Sequence, residues 1–252
     1  MTYRIYVRRV EQPPAEEDLQ KKRGCYVVTA FVALAIVGIT KLFWPDLIPF
    51  RFFEFWKIEG SLVDAVVSLW PLFLWGAGVT TIVSFLTINH PIENYYAERQ
   101  LLVGVLVSVW AGVVEEICFR WLIFYGAIVS IQVVNWLFFG WAGFGVAEWF
   151  YTTIIGPVAD FFTLNYLHDV LFNGYGWFVG AAVISANGKF RDGHLPNGIF
   201  GWVNSWFMGM AFFYVMFNFG LPVAIVVHLL YDLFIFTVRY IDQVIERALG
   251  LI

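Results

Sequence analysis

Apolar runs about as long as a bilayer is thick recur along this chain, and that recurrence limits its fold more than any other feature. A helix needs about 20 residues to cross the roughly 30 Å hydrocarbon core. Runs of that order lie near residues 25–44, 62–88, 101–128 and 198–218, and a last one follows Gly220-Leu221-Pro222. Charged residues make up only 13% of the chain, against about 25% in a soluble domain, too few to build a polar shell. The 12 Trp and 12 Tyr suit aromatic belts at the two membrane interfaces. The expected fold is therefore all-α, a polytopic transmembrane helical bundle of seven or eight spans in an integral, multi-pass membrane protein.

The polar segments organise these runs. Residues 1–24 read as an N-terminal tail, and residues 25–252 as one membrane-embedded helical domain. Lys21, Lys22 and Arg23 directly precede the first span, with Arg4, Arg8 and Arg9 further back, which predicts a cytoplasmic N-terminus. The connector at 45–61 mixes Arg51, Glu54, Lys57 and Glu59 with Phe and Trp and is expected at the interface. The loop 90–100 returns the chain to the cytoplasmic side. Residues 129–160, rich in Trp and Phe with several glycines, fit either one broken span or a re-entrant pair. The stretch 187–197 (Asn-Gly-Lys-Phe-Arg-Asp-Gly-His-Leu-Pro-Asn) reads as a cytoplasmic loop. The net charge of −4 and the lack of a basic run argue against a nucleic-acid partner, and Cys25 and Cys118 against a disulfide framework.

Against this background, Val113-Val114-Glu115-Glu116-Ile117-Cys118-Phe119-Arg120-Trp121 is costly. Ionisable side chains inside a membrane span are rare and usually functional. On a helix Glu116 and Arg120 share a face, whereas Glu115 lies about 100° away. Glu116 is then the partner of Arg120, and Glu115 is left for chemistry. His168 ends an apolar stretch. His228 and Asp232, four apart on the last span, share a face. Each of these groups needs a polar partner, and the partners lie on other helices. The expectation is that Glu115, His168, His228 and Asp232 meet around one wet cavity.

Such a set has a chemical use. A carboxylate with a histidine takes a proton from water and makes a nucleophile. A second histidine and an Asx side chain steady the oxyanion formed at an attacked carbonyl. Peptide hydrolysis then needs no serine or cysteine nucleophile and no cofactor. Glu115, His168 and His228 are also a zinc-ligand set, although His-Glu-x-x-His is absent. Cys118 reads as a small buried apolar residue, and His90 and His194 as solvated loop residues.

Glu115-Glu116-x-x-x-Arg120, Leu164-x-x-x-His168 and His228-x-x-x-Asp232, in that order over about residues 100–236, resemble the three motifs of the CPBP family, the CAAX-protease and bacteriocin-processing (Abi) group of intramembrane glutamic endopeptidases. The approach Gly220-Leu221-Pro222-Val223-Ala224-Ile225-Val226-Val227-His228 resembles the family pattern too. The resemblance implies that Glu115 is the general base, His168 orients the water, His228 and Asp232 stabilise the oxyanion, and Glu116 and Arg120 position the motif helix. It also implies a peptide or membrane-protein substrate cleaved near the membrane face, such as a prenylated C-terminus or a leader peptide. Two positions depart from the pattern: the second motif usually opens with an aromatic, here Leu164, and the third often ends in Asn, here Asp232. Two rival functions use the same residues, a non-catalytic bacteriocin-immunity factor or scaffold, and a transporter or proton relay.

Overall fold

The computed structural model describes residues 16–86, 101–140, 145–195 and 198–248. The basic residues before Glu16 and the loop 90–100, with His90, lie outside these. The helices are α1 (Glu16–Phe43), α2 (Leu62–Leu86), α3 (Leu101–Glu115), α4 (Phe124–Phe138), α5 (Val146–Phe150), α6 (Gly156–Phe162), α7 (Trp177–Gly193), α8 (Gly198–Phe219) and α9 (Leu221–Ala248). No strand occurs among the described residues.

Helix α8 forms the centre. Phe207, Met210, Phe212, Phe213 and Val215 are buried along it, and it packs against α2, α7 and α9, while α3 pairs with α9 and α4 with α7. Large apolar side chains also cover the outside. On α2, Val63, Val67, Trp70, Leu74 and Ile82 are all exposed. A water-soluble monomer rarely exposes so continuous an apolar face.

Among the described residues, four helices are long and apolar enough to cross a bilayer: Leu62–Val83, Gly104–Phe138, Gly198–Phe219 and Leu221–Val238. The sequence leads to an expectation of seven or eight crossings, and the difference has local causes. The apolar part of α1, Val28–Phe43, is shorter than those four. The helix that begins with α3 does not stop near residue 128 but runs on to Phe138. At about 1.5 Å per residue its 35-residue segment Gly104–Phe138 reaches roughly 50 Å, more than one hydrocarbon core. The stretch from residue 146 to 173 is helical to Phe162 through a π segment at Tyr151–Ile155, turns at 163–167 and resumes with a π turn at Asp169–Asn173.

Two polar segments have more structure than expected from sequence. The connector at 45–61 is tucked into the bundle, with Ile48, Phe50 and Phe55 buried. Its backbone carbonyls are hydrogen-bonded by side chains of the long helix: Trp121 Nε1 donates to Phe52 O at 2.8 Å, the Tyr125 hydroxyl to Arg51 O at 2.7 Å, and Gln132 Nε2 to Leu47 O at 2.6 Å. The expected loop at 187–197 is helical as far as Gly193. Asn187-Gly188 suggests a turn, but Asn187 is wholly buried and its Nδ2 donates to Trp206 O at 2.9 Å. A buried amide with a partner on α8 holds the helix on through Phe190.

Candidate functional site

Between α3 and α4 the long helix widens into a π segment, Glu116–Ile123. It starts one residue after Glu115, so the two acids stand on either side of the junction between helix types. Such π insertions are frequent at functional sites. Gly112, one turn earlier, lets α9 come close: a Cβ there would lie 3.1 Å from Ile225 O and 3.3 Å from Leu229 Cβ. Small residues at a membrane helix crossing allow such approach, and it brings the acids up against His228.

Glu116 and Arg120 are both fully buried, with Arg120 Nη1 3.2 Å from Glu116 Oε1. That is the expected ion pair. The structure adds a third member, because His228 Nδ1 lies 2.8 Å from the same Glu116 Oε1. The carboxylate therefore orients the imidazole as well as the guanidinium. A His ring held through one nitrogen by a carboxylate presents the other nitrogen in a defined direction. Aromatic faces complete the shell: the Arg120 guanidinium sits 4.0 Å from the Phe190 ring centroid and 5.3 Å from that of Phe212. His228 stacks on Phe212 with centroids 4.4 Å apart.

The other ring nitrogen, His228 Nε2, faces Glu115 Oε2 at 4.0 Å and Asp232 Oδ2 at 3.7 Å. Both gaps exceed a direct hydrogen bond and suit a single bridging water. Glu115 and Asp232 are partly open, at 31% and 24% side-chain exposure, while His228 is at 4%. All three line a cavity of about 240 Å³, together with His194, Asn204 and Tyr231.

His168 is not there. Its Nδ1 is paired at 2.7 Å with Asp160 Oδ2, its side chain is 50% exposed, and it lines a different, open cavity with Pro157, Phe161, Asn165 and Phe172. The expected convergence of four residues therefore holds for Glu115, His228 and Asp232 only. The cause lies in the backbone: Leu164 and Asn165 both take positive φ, 52° and 62°, which ends the apolar stretch in a turn, so His168 does not sit on a helix face shared with Leu164. The zinc set Glu115, His168 and His228 is likewise not assembled, and the described residues contain no group of three or more His, Cys, Asp or Glu placed to hold one ion.

The histidine that does reach the cavity is His194, which the sequence reading placed in a solvated loop. It caps α7, with Nδ1 2.8 Å from Phe190 O and its ring 4.6 Å from the Phe190 ring. A signal for it exists: Phe190-x-x-x-His194 has the spacing of the second motif and opens with the aromatic that Leu164 lacks. Next to it, Arg191 Nε and Nη2 donate to Asp192 Oδ1 at 2.9 and 2.7 Å, and Trp202 Nε1 donates to the same oxygen at 3.1 Å. These bonds, those of Arg191 above all, hold the Asp192 carboxyl below the usual carboxylate range. Arg191 also lies 4.2 Å over the Trp202 ring, which ties the end of α7 to the start of α8 beside His194.

No family model, curated protein or solved structure matches this chain.

Proposed function

We propose that this protein is an intramembrane endopeptidase in which Glu115 activates the attacking water and His194, in place of His168, assists it. The observation that carries the reading is the meeting of Glu115, His194, His228 and Asp232, from three separate parts of the chain, on one cavity. With His194 as the second histidine, the order Glu115-Glu116-x-x-x-Arg120, Phe190-x-x-x-His194, His228-x-x-x-Asp232 resembles the CPBP pattern more closely than the expected one, since only the terminal Asp232 departs from it.

In this mechanism Glu115 takes a proton from a water bridging it to His228 or His194, and the water oxygen attacks a scissile carbonyl. His228 stands on the oxyanion side through Nε2, whose N–H donates when the ring is the imidazolium. Glu116 and Arg120 keep that ring in place. The substrate is a peptide segment reaching the cavity at the membrane face; a prenylated C-terminus, a leader peptide and a membrane-protein segment all belong to this class.

The discriminating measurement uses the purified full-length protein in detergent micelles with a library of internally quenched peptides. Removing a general acid–base group costs about 10²–10⁴-fold in rate. His194→Ala is expected to lose at least a hundredfold in kcat, and His168→Ala to stay within a few-fold of wild type. The reverse pattern would return His168 to the site and overturn this assignment. The proposal keeps the seven or eight crossings and the cytoplasmic N-terminus. Single cysteines placed at Ser61 and Lys189, labelled with an impermeant maleimide in intact cells, should then report opposite sides.

A further inference from the structure

Asp232 is an awkward partner for an oxyanion. An ionised carboxylate only accepts hydrogen bonds and repels developing negative charge. A carboxamide from another helix faces the same cavity. Asn204, on α8, lines it together with Glu115, His228 and Asp232. Its Nδ2 donates to the Tyr231 hydroxyl at 2.7 Å. Tyr231 is itself held between the rings of Phe73 and Phe212, at centroid separations of 5.9 and 6.3 Å, so the amide is anchored to a fixed group.

A primary amide has two N–H donors. Tyr231 takes one, and no acceptor among the described residues takes the other. A donor held by the protein before the reaction, with its acceptor arriving only as charge develops, is the physical requirement of an oxyanion hole. Asn204 meets it, while Asp232, one residue along α9 from Tyr231, does not.

We propose that Asn204 is the amide oxyanion donor of this site, in the part that an Asn at position 232 would otherwise play; this rests on the peptidase reading. Glu115 accepts a proton from water while the water oxygen bonds to the scissile carbonyl carbon. The C=O π pair moves onto the carbonyl oxygen, which receives the second Nδ2–H of Asn204. On collapse that pair returns, the C–N bond breaks, and the proton held by Glu115 passes to the amine nitrogen. The products are a carboxyl and an amine terminus, and water is the sole co-reactant.

The test compares wild type, Asn204→Ala, Asn204→Asp and the double variant Asn204→Ala/Asp232→Asn on the quenched-peptide library, with thermal melting of each. Asn204→Asp is isosteric and can still accept from Tyr231, so it separates donor loss from misfolding. Loss of one oxyanion-hole donor costs about 10²–10³ in kcat. That drop is expected for Asn204→Asp with KM little changed and the melting temperature kept. Asp232→Asn in the Asn204→Ala background should recover at least tenfold. If Asn204→Asp turns over like wild type while Glu115→Gln is inactive, the donor assignment falls and the peptidase reading stands. If wild type cleaves nothing in the library, both fall together.

Discussion

Under the peptidase reading, Glu115→Gln is expected to abolish cleavage without unfolding the protein. The substitution keeps the size and shape of the side chain and removes its ability to take a proton from water. Glu115 is partly exposed, and its contact with His228, at 4.0 Å, is beyond direct hydrogen bonding, so the fold loses little with the charge. The expected loss is about 10²–10⁴-fold in kcat, with the helical circular dichroism signal and melting temperature of wild type, read on the quenched-peptide library. Full activity in this variant would sink the peptidase reading. Protection of cells that survives Glu115→Gln combined with His228→Ala would favour the immunity or scaffold role instead.

Arg120→Met is expected to destabilise the protein strongly, through a different mechanism. Arg120 and Glu116 are both fully buried, and removing one partner of such a pair leaves an uncompensated charge, at a cost of about 3–5 kcal/mol. Met keeps the length and apolar contact of the side chain against Phe190 and Phe212, so the loss reports the charge and not a cavity. The double variant Glu116→Gln/Arg120→Met is expected to regain most of that stability, since no net charge remains buried. It should stay poorly active, because His228 Nδ1 loses the carboxylate 2.8 Å away. Denaturant unfolding in micelles, run beside the cleavage assay, measures both. A double-variant loss equal to the sum of the Glu116→Gln and Arg120→Met losses would show that the two residues act independently.

The pattern of legibility follows physical range. Glu116 with Arg120, and His228 with Asp232, are pairs within a single helix, where a spacing of four residues places side chains on one face whatever the rest of the chain does. Both pairs are found close in space. Helix α8 was legible as a span for a similar reason, a run of apolar residues ending at Phe219-Gly220, where Gly220 takes a positive φ of 95°. The bond from His228 to Glu116 joins residues 112 apart in sequence and depends on Gly112 admitting α9, which no local spacing announces. His168 and His194 present the same apolar-x-x-x-His spacing. Only the backbone turn at Leu164-Asn165 and the burial of Asn187 and Phe190 decide which histidine reaches the cavity.

The sequence by itself therefore determined the helical membrane character of the chain and the division of the paired acids into one braced and one left over, because hydrophobic run length and helical periodicity are local properties. Tertiary structure alone decided that Glu116 bonds His228 as well as Arg120, that His194 and not His168 lines the cavity with Glu115, and that Asn204 lines it with Asp232. Those are relations between helices, set by which side chains let two helices approach and by where the backbone turns between them.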